Sequence, residues 1–319
     1  MITMEKILPT FGTGITSFAI EFPVTAKNLE RVLFKIDALD IPRTNGRSIE
    51  FLVAHGIGGI DLDKPEESGT YEFVQQVGEK VRKQNYNLVI TGFHPPGSPH
   101  MLSEKSSEVR HAVKRTKAII NCAVHAGAIR VVGPVHVEHG EKNGRAPLFL
   151  VDPLSEVGEY ARKYDMRVCV EIIRGLETYA LNSLKTAIPL LDKINESFVR
   201  LHYDVAHAAI HERDSPADAI ARALDSGHVG HVHLDEIDRG PFSLQHPGPV
   251  QRALPEIVNT MIKRGYRNSA NWEGFHYALW KAVGREDTVS ASRYTERGRN
   301  EFARREAQDS TSIINEFYR

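Results

Sequence analysis

Residues Phe198–Arg239 read FVRLHYDVAHAAIHERDSPADAIARALDSGHVGHVHLDEIDR, and this stretch decides the architecture. Two short apolar runs, each alternating and containing Val, end in clusters of Asp and His. Between them Asp214 or Ser215 offers a helix N-cap, Pro216 fits just inside it, and the apolar residues that follow have helical spacing. The pattern predicts strand, helix, strand, with ligand-type side chains at the carboxyl end of both strands. In a repeated βα architecture that end carries the chemistry. Asp204 and His233 are therefore expected to approach one centre from neighbouring strands.

The flanking chain repeats the alternation. Strands are expected at 15–22 (ITSFAIEF), 59–63 (GIDLD), 87–93, 128–133, 166–173, 198–204, 228–235 and 269–275. Helical patterns occupy 26–56, with an interruption near 42–46, then 71–84, 103–126, 151–164, 180–194 and 249–264. About eight such alternations imply parallel pairing and a closed (β/α)8 TIM-type barrel of the α/β class. An open nucleotide-binding sheet would need a Gly-rich phosphate loop after an early strand, and neither G-x-G-x-x-G nor G-x-x-x-x-G-K occurs. Residues 284–319 are charged and mainly helical in pattern, with Phe302, Ala303, Ile313, Ile314 and Phe317 as apolar members. They are expected to cover the barrel bottom or a subunit interface. No linker or low-complexity tract divides the chain, so 1–319 is expected to be a single barrel domain with additional C-terminal helices.

Composition narrows the function classes. The 319 residues are 41% hydrophobic and 25% charged, as in a globular protein with a sizeable core. Forty basic and 41 acidic residues leave a formal charge of -1. That balance gives no support for nucleic acid or a membrane surface as partner. No apolar run approaches membrane-spanning length, and the N-terminus lacks the basic and apolar regions of a secretory signal. Cys122 and Cys169 sit in apolar runs, as expected of reduced core thiols in a cytoplasmic protein.

Four strand ends supply ligand-type side chains: Glu171 (VCVEII), Asp204 (HYDVAH), His233 (HVHLDE) and Glu273 (NWEGF). A carboxylate placed there is desolvated and needs a partner. Three acids and one imidazole around a dication satisfy that need together. Oxygen-rich ligation with one nitrogen suits one Mn²⁺, Mg²⁺ or Co²⁺ ion, with Zn²⁺ also compatible. His231 lies on the same strand face as His233, and His233 is chosen because it is nearer the strand end. His94, His136 and His139 follow the third and fourth strands and are expected as solvated loop residues near the barrel mouth.

These motifs resemble the xylose-isomerase-like barrels of the sugar isomerase and epimerase superfamily, and most closely the ketose 3-epimerases of tagatose or psicose type. EIIRGLE (171–177) is similar to that family's metal Glu followed by a substrate-binding Glu. DVAH (204–207) resembles its metal Asp and substrate-contacting His, and HLDEIDR (233–239) its metal His and a substrate Arg. NWEGF resembles the segment with the last metal Glu. The resemblance implies metal ligation by Glu171, Asp204, His233 and Glu273, substrate contacts from Glu177, His207 and Arg239, and Glu171 and Glu273 as the acid/base pair. It further implies an isomerase of carbohydrate metabolism that takes a small sugar, and a homo-oligomer is compatible with it.

Departures from the family pattern bear on the substrate. Arg174-Gly175 stands where these epimerases often carry Asn-Arg, and HPGPVQ (246–251) replaces a Pro-Gly-x-Gly loop. A different ketose, a sugar acid or an inosose stays within reach, as does an aldose–ketose isomerase or inosose dehydratase of the same superfamily. A nuclease of the endonuclease IV kind is the alternative from another class, with His94, Glu138, Asp204, His207 and His233 as its zinc ligands. The charge balance argues against it.

Overall fold

The computed structural model describes residues 10–14, 48–56, 60–83, 86–95, 97–136, 147–173, 180–212, 214–234, 248–266 and 268–272. Eight strands lie within them: β1 (Thr10–Gly14), β2 (Ser48–Val53), β3 (Asn87–Gly92), β4 (Arg130–Gly133), β5 (Arg167–Glu171), β6 (Val199–Asp204), β7 (Val229–His233) and β8 (Ser269–Trp272). Each pairs in parallel with the next, and β8 pairs with β1, so the sheet closes into a barrel in chain order. The described helices are α1 (Thr70–Lys83), α2 (Ser106–Ala126), α3 (Val151–Arg162), α4 (Leu184–Ile194), α5 (Val205–His211), α6 (Pro216–Asp225) and α7 (Pro249–Lys263).

The helices form because one stripe of each is apolar at a spacing of three or four residues. In α1 that stripe is Tyr71, Val74, Val77 and Val81, and in α7 it is Val250, Leu254, Ile257, Val258 and Met261, all buried. Burial contributes about 1.5–3 kcal/mol for each large apolar side chain. Helix α1 lies so close to α2 that a Cβ on Gly78 would sit 1.8 Å from the Ala126 carbonyl oxygen. Glycine alone permits that approach. Helix α2 ends on Gly127 at φ 64°, whose left-handed conformation turns the chain into β4. Helix α6 starts as its sequence predicts, with Pro216 in the first turn and the Ser215 hydroxyl accepting from the Asp218 N–H.

The amino-terminal quarter departs from expectation. The first barrel strand is Thr10–Gly14, and the expected strand at 15–22 lies outside the described residues. The second is Ser48–Val53, inside a stretch expected to be helical, while 60–63 form a connection instead of a strand. In SIEFLV, Ser48, Glu50 and Leu52 on one face and Phe51 and Val53 on the other are buried, so the run lacks the alternation that marks a half-exposed strand, and its apolar spacing also fits a helical turn. At 60–63 the Asp61 carboxylate accepts the N–H groups of Asp63 and Lys64, which folds that segment into a turn. Helix α2 begins at Ser106 and not Ser103, because the Ser103 hydroxyl engages the Lys105 N–H and the Glu108 carboxylate ahead of it. The expected helical tail at 284–319 lies outside the described residues.

Candidate metal and substrate site

Strand alternation decides what enters the barrel. On β6, Val199, Leu201 and Tyr203 join the apolar layer beneath the helices, which turns His202 and Asp204 the other way. On β5 the same rule sets Val168 and Val170 outward and Cys169 and Glu171 inward. Val89, Val132 and Cys169 make a small apolar floor of their own. Nearer the carboxyl ends the interior becomes polar. The strand register aligns Glu171 with His202 and His231, and aligns Asp204 with His233 and Asn271.

Glu171, Asp204 and His233 each bring a ligand-type atom within 4.8 Å of the others, and all three are buried. Ligands of a single cation at about 2.0–2.6 Å from it stand ~3–5 Å apart, so the donor set fits one ion. Its chemistry fits as well, since two carboxylates close together in a buried site are relieved by a cation or a shared proton between them. His233 Nδ1 lies 3.8 Å from Asp204 Oδ2. His207 is 1% exposed, and its Nε2 stands 3.7 Å from both a Glu171 and an Asp204 oxygen. Its place is set by α5, a short helix that the sequence had not indicated. The Asp204 carboxylate caps it by accepting the His207 N–H at 2.8 Å. One Asp204 oxygen is thereby committed to the backbone, and Oδ2 is the one that faces the two histidines.

Glu177, Arg239 and Glu273, the remaining expected site residues, lie outside the described residues, as do Glu138 and His139. The sequence reading missed Glu50. This β2 residue is completely buried, and its Oε1 accepts from His231 Nε2 at 3.0 Å, His233 Nε2 at 2.9 Å and Asn271 Nδ2 at 2.6 Å. Burial raises the Glu50 carboxyl, but the two histidines outweigh it and hold it well below the usual carboxylate range. Burial pushes the His231 imidazole down to about 4 against the pull of Glu50. His202 is held well below its ordinary range by burial first and by its two histidine neighbours second.

His94 and His136 are buried, not solvated as expected, at 1% and 0% exposure. Desolvation pushes them down to about 4 and about 3, so both are neutral at physiological pH. His94 donates through Nε2 to the Val135 carbonyl at 3.0 Å. The connection after β2 holds another acidic group, His55, Asp61 and Asp63, but Asp63 is already gripped by the Arg115 fork at 2.8 and 2.6 Å and by His111 at 2.7 Å. That contact fastens the connection to α2. Cys122 and Cys169 are buried free thiols, pushed by desolvation up to about 12 and about 11. No helix among the described residues is long and apolar enough to cross a membrane.

The model of the xylose isomerase-like TIM barrel family matches residues 49–296. A D-psicose 3-epimerase of Enterocloster bolteae is 28% identical over 197 residues, covering 59% of this chain and 62% of that protein. A D-psicose 3-epimerase of Ruminiclostridium cellulolyticum is 24% identical over 209 residues, or 63% of this chain and 68% of that one. The chain thus spans less than two thirds of the first relative's length. Among solved structures, an L-ribulose 3-epimerase has a TM-score of 0.73 at 18% identity, covering 97% of this chain and 94% of that one. The D-psicose 3-epimerase of Clostridium cellulolyticum H10 with D-tagatose has a TM-score of 0.71 at 13% identity, covering 96% and 99%. At these identities the structural likeness establishes a shared fold.

Proposed function

The chain belongs to the xylose isomerase-like TIM barrel family, and from that premise we infer that it is a divalent-metal-dependent epimerase acting at C3 of a ketose. The observation that carries this reading is the gathering of Glu171, Asp204 and His233 at the carboxyl ends of β5, β6 and β7. These three, with Glu273, would hold one Mn²⁺, Mg²⁺ or Co²⁺ ion, and Zn²⁺ suits the same donors. Bound there, the ion supplies a Lewis acid for the oxygen charge that develops when a ketose C3–H ionises.

The chain's own residues divide the remaining work. Inversion at C3 needs proton transfer at both faces of the carbon, so Glu171 serves one face and Glu273 the other. Glu171 is 5% exposed and held away from bulk water, which favours a carboxylate that exchanges protons with substrate. His207, whose Nε2 stands 3.7 Å from an oxygen of each acid, would touch a substrate hydroxyl in this reading. Glu177 and Arg239 complete the sugar contacts in this reading. Arg239 offers donors only, which suits hydroxyl and carbonyl oxygens.

The nuclease alternative needs His94 as a ligand, and that ring is tied to a backbone carbonyl, outside the group formed by Glu171, Asp204 and His233. The test is incubation of the manganese-loaded protein with a panel of ketoses in deuterated water. Deuterium is expected at C3 of at least one ketose together with its C3 epimer. Exchange confined to C1, or none with any ketose, would refute the assignment.

A further inference from the structure

We propose that Glu50 is the positioning residue of this site: its carboxylate holds the Nε2–H of His233 and so turns the Nδ1 lone pair toward Glu171 and Asp204. The inference rests on the reading that His233 is a metal ligand, and it concerns a residue on the opposite wall of the barrel.

The geometry is that of a buried acceptor surrounded by donors. Glu50 Oε1 receives His233 Nε2 at 2.9 Å, His231 Nε2 at 3.0 Å and Asn271 Nδ2 at 2.6 Å. Oε2 receives the Thr91 hydroxyl at 2.7 Å. Asn271 is itself fixed, since the Ser48 hydroxyl donates to its Oδ1 at 2.7 Å. The donors to the carboxylate come from β3, β7 and β8, so this β2 side chain is restrained from three other strands at once. A carboxylate oxygen contacted in this way only accepts, so Nε2 of His233 must carry a hydrogen. A neutral imidazole with its hydrogen on Nε2 has its lone pair on Nδ1. That is the nitrogen 3.8 Å from Asp204 Oδ2.

Ring rotation is restricted from the side as well. His202 stands edge to face against His233, with centroids 4.0 Å apart and planes at 85°. Neither His202 nitrogen has a hydrogen-bond partner among the described residues. His202 thus packs its ring against His233 with its Nδ1 3.9 Å from a Glu171 oxygen, and the hydrogen bond that directs His233 comes from Glu50. His231 fills a different role. It meets the same Glu50 oxygen but is not grouped with Glu171 and Asp204, so it anchors Glu50 while His233 faces the centre. Such carboxylate–histidine–metal chains fix the tautomer and raise ligand basicity, and their loss typically costs about 10–100-fold in metal affinity.

The experiment has two readouts. Nitrogen-15 histidine NMR of the metal-free protein reports which ring nitrogen of His233 is protonated, and Co²⁺ titration reports affinity through the ion's visible spectrum. Wild type is expected to show a protonated, hydrogen-bonded Nε2 on His233. Glu50→Gln preserves shape and removes the charge. It is expected to bind Co²⁺ about 10–100-fold more weakly and to lose the single His233 tautomer, while the chain stays folded by circular dichroism. A purely structural Glu50 would lower the melting temperature and leave affinity and tautomer unchanged in the folded fraction, and that result overturns the proposal. If Glu50→Gln fails to fold, the wild-type tautomer decides, because His233 protonated on Nδ1 alone contradicts it. Failure of the underlying ligand reading is distinguishable, because His233→Gln would then leave Co²⁺ binding intact.

Discussion

His202, His231 and His233 line the barrel interior on β6 and β7, while His94, His100 and His136 cluster beyond the ends of β3 and β4. Both trios are buried, and both contain rings kept neutral by desolvation. The difference lies in their neighbours. The first trio touches Glu50, Glu171 and Asp204. Among the described residues no carboxylate comes within ion-pair distance of the second, whose one strong contact is from His94 to a backbone carbonyl. Burial alone makes an imidazole available as a ligand, and carboxylates give it a direction and a charge to share. The β6–β7 group is therefore read as a working centre and the β3–β4 group as packing.

The sharpest way to break this contrast is to remove the proposed proton-transfer groups. Glu171→Gln keeps an oxygen for the ion and loses the base, so C3 epimerisation should fall by about 10²–10⁴. Glu273→Gln should do the same. A variant lacking one base is expected to retain solvent exchange into one epimer only, as read by NMR of the sugars in deuterated water. Near-normal epimerisation in both variants, with metal bound, would end the two-base reading.

A smaller effect is expected at the substrate contacts. If Arg239 contacts the sugar as proposed, Arg239→Ala would remove charge-assisted hydrogen bonds worth about 1.5–3 kcal/mol, so kcat/KM should drop by roughly 10–150-fold while metal content stays at the wild-type level. Loss of the ion in that variant would move Arg239 out of the sugar-binding role.

The packing trio can be tested through acid stability. An unfolded histidine protonates near its ordinary 6.5, whereas His94 and His136 resist until about 4 and about 3. The unfolded state thus binds more protons below pH 6.5, and stability is full above that pH and falls as pH drops toward 4 and 3. Each group contributes a slope of up to about 1.4 kcal/mol per pH unit in that window. His136→Leu should flatten denaturant-measured stability between pH 6.5 and 4 and leave the sugar chemistry untouched. An unchanged slope would mean that this ring titrates normally.

Legibility followed the range of the contacts. Glu171, Asp204 and His233 stood out because each ends a short strand, and the period of two sends them to one side. The barrel itself was readable from the alternation that runs from β3 to β8. Glu50 had no local signal: its neighbours Phe51, Leu52 and Val53 are buried on both sides of the strand, the run SIEFLV fits either period, and the partners of Glu50 lie 181, 183 and 221 residues further along. The run GIDLD misled because apolar Ile60 and Leu62 alternate with acids that make a turn. His94 and His136 follow strand ends in connections rich in Pro and Gly, yet the chain folds back over them, with the Met101 N–H donating to the His136 carbonyl. Such burial depends on tertiary closure and leaves no periodic mark.

The contrast between the two histidine groups is tested most directly by Mn²⁺ stoichiometry, measured by equilibrium dialysis on wild type, Asp204→Asn and His136→Leu. Asp204→Asn keeps an acceptor for the His207 N–H and so spares the cap of α5. One ion per chain is predicted in wild type and in His136→Leu, with binding lost in Asp204→Asn. Two or three ions per chain, or an ion that survives Asp204→Asn and departs with His136→Leu, would contradict the assignment of the centre to β5–β7.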